Sequence, residues 1–291
     1  MLKESLDFAW RVMVCGFVFA AGLVISRLAF QFASVSPPRM PTQAPEAIAG
    51  YYLFAGSVAL AAGILLTSRG IKGPLHIRWL ALATFLFIGF GVSSTIETSI
   101  FSSTEGVLWM IPILFLPCVV LASIAVVLLK SPDVQRTLMP ALVDAIRSRT
   151  PGQWVWRCLA AIFAFPVVYF IFGSIVSPVV SQYYAQGVSG LALPNPGLII
   201  STQLLRGLLH LLAAIAVIFL WNASEQRLVF ALALAFFVFV AAYDIVLAYQ
   251  VPVMLIVTHG IEVLVDSFVY AWLLVALLAR KGSPSERARS V

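Results

Sequence analysis

Charged residues are scarce in this sequence, and their scarcity decides its class. Asp, Glu, Lys and Arg make up only 10% of the 291 residues, whereas 62% are hydrophobic. Soluble domains carry about 25% charged residues and about 45–50% apolar ones. A chain with so few polar groups could not cover its own core in water, which excludes an ordinary soluble fold. We therefore expect lipid to be the solvent for much of the chain.

Motifs of the common enzyme classes are also missing. The sequence holds no P-loop, no His-Glu-x-x-His zinc motif and no Gly-x-Ser-x-Gly nucleophile elbow. Its three cysteines lie in or beside apolar stretches, so they indicate no disulfide framework. No nucleotide-binding or extramembrane catalytic domain is predicted either. The sequence therefore assigns no cofactor and gives no ground for naming a reaction.

Long apolar stretches are what this sequence has in abundance. A transmembrane helix needs about 20 mostly apolar residues to cross a bilayer core of about 30 Å. Eight stretches meet this requirement, at 8–32, 48–67, 78–101, 107–129, 153–177, 198–221, 228–249 and 252–279. They predict an all-α integral membrane protein with about eight transmembrane helices.

The few charges follow a pattern along the chain. Lys and Arg concentrate near the N-terminus and after the second, fourth, sixth and eighth spans, whereas the alternate loops hold only Arg39, Glu46 and Glu105. Because Lys and Arg mark cytoplasmic loops, we predict a multi-pass protein of the cell (inner) membrane with both termini cytoplasmic. The same distribution accounts for the formal net charge of +6, so the predicted partners are the lipid bilayer and no nucleic acid.

The chain divides into two halves of similar layout. Residues 1–130 and 153–280 each hold four spans, open with a Trp-Arg pair and have a proline-rich connection after the first span; the pairs are Trp10-Arg11 and Trp156-Arg157. Because four is even, both halves enter the membrane from the same side, as in the parallel repeats of some transporters. We predict two parallel-repeat four-helix halves, and a chance similarity of eight spans is the alternative.

The segment 131–152 lies between these halves. Ser131-Pro132-Asp133 resembles a helix N-terminus with proline at the first helical position. Apolar residues then recur at helical spacing, which predicts a short helix on the cytoplasmic face. An ordinary soluble linker is the alternative. After the second half, residues 281–291 are predicted to form a basic cytoplasmic tail.

Two predicted spans carry ionisable residues at membrane depth, where a charge costs roughly 2.5–3.5 kcal/mol to insert. The sixth span holds Gln203, Arg206 and His210, and the eighth holds His259, Glu262 and Asp266. Each set has the spacing i, i+3, i+7, which places its members on one helix face. Both spans begin after a proline, and counting from it gives the two sets matching depths. We therefore predict that these helices pack side by side, with Arg206 facing Glu262 and His210 facing Asp266.

This polar set favours a carrier or permease for a small solute or ion, proton-coupled through the two helices. Arg206 would anchor an anion or counter-ion, Glu262 and Asp266 would exchange protons, and the histidines would tune them. One alternative is a redox enzyme that binds a divalent metal through His259, Glu262, His210 and Asp266, or a haem through the two histidines. The other is a scaffold or assembly protein in which the polar set clamps two helices together.

Two further acids lie near the ends of spans. Glu97 is close to the end of the third span, and Asp244 is close to the end of the seventh. Both ends are predicted to face the outside. The two acids are interpreted either as solvated end residues or as the outer mouth of a pathway.

Overall fold

The computed structural model describes residues 2–33, 46–103, 105–129, 143 and 146–279. Within these residues the chain forms no β-strand and has eight helices long and apolar enough to cross a membrane. The predicted all-α fold with eight long apolar helices is therefore confirmed in that form. Most of the segment 131–152, the prolines between 37 and 45, Arg39 and the tail 281–291 lie outside the described residues.

The helices are numbered in chain order. They are α1 (Leu2–Phe32), α2 (Glu46–Gly70), α3 (Leu75–Phe101), α4 (Met110–Leu128), α5 (Pro151–Ala185), α6 (Pro196–Leu220), α7 (Glu225–Leu247) and α8 (Val253–Leu278). A short 3-10 turn, Val107–Trp109, leads into α4. We call the end of the bundle at which α3 and α7 finish and α6 and α8 begin the upper end, and the opposite end the lower end.

Side chains cap the first turns of three helices. Thr150 and Gln153 form a capping box at the start of α5, the side chain of Asn195 accepts from Leu198 N at the start of α6, and Ser224 accepts from Arg227 N before α7. These bonds satisfy amide donors that a helix start leaves without partners. Local chemistry thus sets where these helices begin.

Arginines of the lower end cap the last carbonyls of α4 and α8. Arg11 Nη1 donates to Leu128 O (2.8 Å), and Arg157 Nη1 donates to Leu277 O (2.5 Å). A cation at a helix C-terminus satisfies unpaired carbonyls and interacts favourably with the helix dipole. The basic residues that mark this end of the bundle in the sequence therefore also hold its helices in place.

The helices pack in a closed sequence of neighbours: α1, α2, α7, α8, α5, α6, α3, α4 and again α1. Within each group of four, the first helix packs against the second and the fourth, and the third packs against the fourth. Between the groups, α2 packs on α7 and α6 packs on α3. At the lower end the α2–α3 and α6–α7 loops pair with each other, because Lys72 N donates to Leu220 O (3.2 Å) and Asn222 N donates to Gly70 O (3.0 Å).

Helix α3 changes its winding in the middle. Its α-helical portions Leu75–Leu86 and Thr95–Phe101 flank a π-helical segment, Phe87–Ser94. Gly89 permits this segment to lie against α7, since a Cβ there would sit 2.5 Å from Phe239 Cε2. A π-helical turn inserts backbone and redirects the residues that follow, and such turns concentrate at functional sites. Here it precedes Glu97.

Candidate functional site

A cavity of about 40 Å³ lies in the upper half of the bundle, where α3, α5, α6, α7 and α8 converge. A buried water needs about 10–15 Å³ of such space, so a few waters fit. Six of the eight predicted site residues line it: Glu97, Arg206, His210, His259, Glu262 and Asp266. Gln203 and Asp244 contact residues of the lining. The structure therefore brings all eight residues to one place.

Arg206 is held by α3 and by its own helix. Its guanidinium is ion-paired with Glu97, donates from Nη1 to Gln203 Oε1 (2.9 Å) and from Nε to Ser93 Oγ (3.3 Å), and lies over the Phe165 ring (5.1 Å). Only 2% of Arg206 is exposed. Glu97 of α3 thus neutralises the positive charge of Arg206.

The predicted pairing of Arg206 with Glu262, and of His210 with Asp266, is wrong. Helix α5 packs against both α6 and α8, and those two helices meet near Tyr270, whose hydroxyl donates to Gly207 O (3.4 Å). Gly207 permits the close approach of α5, because a Cβ there would clash with Ile162 O. Counting from the two prolines gives the polar sets matching depths, but their helices meet near Tyr270 and do not pack side by side.

His259 lies between two carboxylates of the upper half. Its Nδ1 is 3.1 Å from Glu262 Oε2, one helical turn away, and its Nε2 is 3.8 Å from Asp244 Oδ2 on α7. About a third of the His259 side chain is exposed, whereas Glu262 is 8% exposed. A histidine between two acids can carry a proton from one to the other. The three side chains extend from the upper end of α7, at Asp244, to the cavity, which His259 and Glu262 line.

The structure places Glu97 and Asp244 beside other members of the predicted site. Glu97 is 18% exposed and ion-paired, so it is not a freely solvated end residue. Asp244 is 32% exposed and lies beside His259. Both acids belong to the same polar cluster, one on each of α3 and α7.

Aromatic rings form the floor of the cavity around His210. The centroid of the His210 ring is 4.8 Å from that of Phe165 and 5.0 Å from that of Phe236. The ring centroids of Tyr270 and Phe165 are 5.0 Å apart. Below the floor, the buried residues of α6 and α8 are apolar: Leu211, Ala213, Ala214, Val217, Ile218, Ala271, Leu274, Val275 and Leu278. No polar path therefore continues from His210 down these two helices.

The α5–α6 loop ties the upper ends of three helices together. Ser103 N donates to Gly190 O (2.8 Å) and Ala192 N donates to Phe101 O (2.9 Å), which joins the loop to the end of α3. Ser189 Oγ donates to Gln250 O, which joins it to the α7–α8 turn. Ser189 has a φ of 54°, a conformation that costs a non-glycine residue free energy. The loop, which we call the strap, spans the helices that surround the cavity.

Some buried polar atoms of the cluster have no hydrogen-bond partner among the described residues. They are Asp266 Oδ1 and His210 Nδ1, which belong to residues of the lining, and Gln203 Nε2. Buried polar atoms in folded proteins are nearly always paired, with protein, water or ligand. These atoms indicate that the cavity binds water or a polar ligand.

The metal alternative gains no support from this geometry. Within the described ranges, no three His, Cys, Asp or Glu side chains are grouped so that they could hold a metal ion. His210 and His259 belong to different contacts: the first touches Ser93 (3.3 Å), and the second touches the carboxylates. The two histidines thus contact different protein groups, although both line the cavity.

Sequence reasoning missed the residues that position this cluster. Ser93 contacts both Arg206 and His210 from the π-helical segment, while Phe165 and Tyr270 build the floor. Serine and aromatic residues are common in apolar spans, so their identity alone gives no signal. Comparison of the chain with protein-family models, with curated proteins and with solved structures finds no match.

Proposed function

We propose that this protein is a carrier or permease for a small solute or ion, coupled to protons through the ionisable residues of the cavity. The observation that carries the proposal is the cavity itself. Three acids, two histidines and an arginine line it within an apolar bundle, a fourth acid, Asp244, contacts the lining, and some of the buried polar atoms have no partner among the described residues. Ionisable groups at such depth are costly, and they mark substrate, ion and proton pathways in membrane proteins.

The residues divide into two roles. Arg206 and Glu97 compensate each other and tie α6 to α3, so Arg206 acts as a counter-ion for the protein's own acid rather than as an anchor for a substrate anion. Glu262 and Asp266 are the proton-exchanging groups, and His259 links Glu262 to Asp244. The functional part of the cluster thus lies mainly on α8.

The cavity corresponds to a closed state of the carrier. The strap covers the upper end, and the aromatic floor with the apolar lower half closes the other side. Alternating access would require the strap contacts or the floor contacts to separate in turn, as one group of helices rocks against the other.

We also propose that residues 1–130 and 153–280 are a parallel duplication. The helix packing within the two groups follows the same pattern, and the contacts between them are reciprocal: α2 on α7, and α6 on α3. The loop contacts are reciprocal too, and Arg11 and Arg157 of the two Trp-Arg pairs each bond a carbonyl at the end of the fourth helix of their own half. Chance similarity of span lengths does not predict such matched hydrogen bonds.

The lower end, where the arginine caps lie, is proposed to be the cytoplasmic side of the cell membrane. Arg11, Arg69, Arg78, Arg149 and Arg157 all belong to this end, in agreement with the preference of basic residues for cytoplasmic loops. The upper end, with the strap and the mouth of the cluster, then faces outward.

Proton flux into sealed liposomes tests the function. Purified protein is reconstituted into vesicles that contain a pH-sensitive dye, and solute or salt gradients are applied one at a time. We expect at least one gradient to change the internal pH of vesicles that contain the wild-type protein, as the dye reports, and not of vesicles that contain Glu262→Gln. Wild-type vesicles that behave like empty ones across the panel would contradict the proposal.

The structural clamp remains the second candidate, because the Arg206–Glu97 pair joins two helices of different groups. It assigns no chemistry to Glu262 and Asp266. Under this reading the whole polar cluster serves stability, and Glu262→Gln would lower the melting temperature as much as Glu97→Gln does.

A further inference from the structure

The polar cluster holds more acids than bases. Arg206 is engaged by Glu97, and His210 packs against aromatic rings, which leaves His259 as the basic side chain beside Asp244 and Glu262, with Asp266 as a third acid of the cluster. Even a protonated His259 would compensate only one of these three carboxylates. A buried carboxylate is stable only when it is protonated or paired with a cation, so the cavity favours an occupant of positive charge.

The buried polar atoms that have no partner among the described residues also favour a cationic occupant. Asp266 Oδ1 is buried and accepts no hydrogen bond from a described residue. His210 is 3% exposed, and its Nδ1 also has no partner; when Nε2 donates to Ser93, that nitrogen is an acceptor. A ligand that donates N–H groups and carries positive charge would satisfy Asp266 Oδ1, and in that tautomer an N–H donor would also satisfy His210 Nδ1.

Aromatic rings make up much of the remaining wall. Phe165, Tyr169, Phe236 and Tyr270 line the cavity, and Asp266 lies one helical turn before Tyr270 on the same face of α8. The faces of aromatic rings attract weakly hydrated cations, above all ammonium groups. A carboxylate beside several rings is the arrangement that recognises an amine.

We propose that the cavity binds a small ammonium-type cation, of the size of ammonium or methylammonium, through Asp266 and the rings of Phe236 and Tyr270. The inference rests on the proposed carrier function and names its substrate class. The cavity volume of about 40 Å³ limits the occupant to a few non-hydrogen atoms.

A bare alkali ion fits this wall less well. Such an ion needs several oxygen atoms to replace its water shell. Glu97 is committed to Arg206, Glu262 to His259, and the Tyr270 hydroxyl donates to Gly207 O. Asp266, Ser267 and Tyr169 are the lining residues whose side-chain oxygens are outside those contacts, and ring carbon covers much of the remaining wall.

The test is thermal unfolding of the full-length protein in detergent at pH 7, with chloride salts compared at equal ionic strength. We expect methylammonium chloride to raise the melting temperature with a saturable dose response. Sodium chloride should not, and tetramethylammonium chloride should not because it is too large. Equal stabilisation by all the salts, or by none, would overturn the proposal.

Variants locate the site. Asp266→Asn should weaken the apparent methylammonium affinity at least tenfold, and Phe236→Leu, which keeps every charge, should weaken it several-fold. Glu225→Gln makes the same acid-to-amide change at the exposed start of α7 and should leave the affinity unchanged. If Asp266→Asn does not fold, the salt series and Phe236→Leu decide; an unchanged affinity in Phe236→Leu contradicts the site.

The melting-temperature and flux experiments together distinguish an error in the cation site from an error in the carrier function. If methylammonium leaves the melting temperature unchanged while wild-type vesicles still show solute-driven proton flux, the cation assignment is wrong and the carrier function stands. If methylammonium binds but no gradient drives flux, the site is correct and the carrier function is wrong.

Discussion

The ion pair between Arg206 and Glu97 gives the sharpest energetic prediction. Arg206 is 2% exposed and has three hydrogen-bonding partners, so its removal leaves Glu97 as an uncompensated acid and Gln203 and Ser93 without their donor. Removing one member of a buried pair costs about 3–5 kcal/mol. Because Glu97 retains 18% exposure and can draw on water, we expect the lower end of that range, about 3 kcal/mol for Arg206→Met.

A double-mutant cycle isolates the pair itself. We expect Glu97→Gln to cost about 2 kcal/mol alone, and the double variant to be less destabilised than the sum of the single ones by about 2 kcal/mol. The assay is the free energy of unfolding in mixed micelles, measured by denaturant titration of each variant.

The control is the pairing that sequence reasoning favoured. Arg206→Met combined with Glu262→Gln should show a smaller coupling energy than Arg206→Met with Glu97→Gln, because no hydrogen bond or ion pair joins Arg206 to Glu262. A larger coupling to Glu262 than to Glu97 would refute the arrangement of α3, α6 and α8 described above.

Three further predictions concern single sites. Glu262→Gln should keep the melting temperature within a few degrees of wild type while abolishing proton-coupled flux; a loss of folding with no flux in wild type would favour the clamp. Gly207→Ala should cost about 1–3 kcal/mol, because its Cβ would clash with the α5 backbone. Gly50→Ala, which has open space around it, should be neutral or stabilising; equal melting temperatures for the two variants would contradict the α5–α6 packing. Arg157→Ala should cost about 1–2 kcal/mol by freeing the Leu277 carbonyl and should expose the end of α8 to faster amide exchange; unchanged exchange there would count against the cap.

The sequence predicts the helices well because a single physical requirement, burial of about 20 apolar residues per crossing, acts on each span independently. Boundaries differ mainly where a helix extends past the apolar stretch. Helix α1 begins at Leu2, where Lys3 and Glu4 are good helix formers, whereas α5 continues past Pro178 to Ala185 although proline, serine and tyrosine favour helix less.

The members of the site were predictable for a related reason. A charge inside an apolar span is costly, so Arg206, Glu262 and Asp266 stand out without any knowledge of the fold. Their partners were not predictable, because depth along a helix does not say which helix lies beside it. The insertion of α5 beside Gly207 depends on contacts between distant segments.

The contribution of the first half to the site was also hidden. The π-helical segment Phe87–Ser94 turns Ser93 and Glu97 toward α6, and nothing in its apolar sequence distinguishes it from ordinary helix. Glu97, close to the end of its span, reads equally well as a solvated residue. The ion pair with Arg206 becomes visible only in the three-dimensional structure.

Accessibility of the cavity from one side of the membrane tests the central claim most directly. Cys15, Cys118 and Cys158 are replaced, and a single cysteine is placed at Val240 in the cavity lining or at Ala214 in the apolar lower half. Membrane-impermeant thiol reagents are then added to one side of oriented vesicles. We expect Val240→Cys to react from the side of the strap whenever the strap contacts separate, faster with a cationic reagent than with an anionic one, and to react faster than Ala214→Cys. Equal reactivity at both positions, or no reaction at Val240→Cys from the strap side, would contradict that claim.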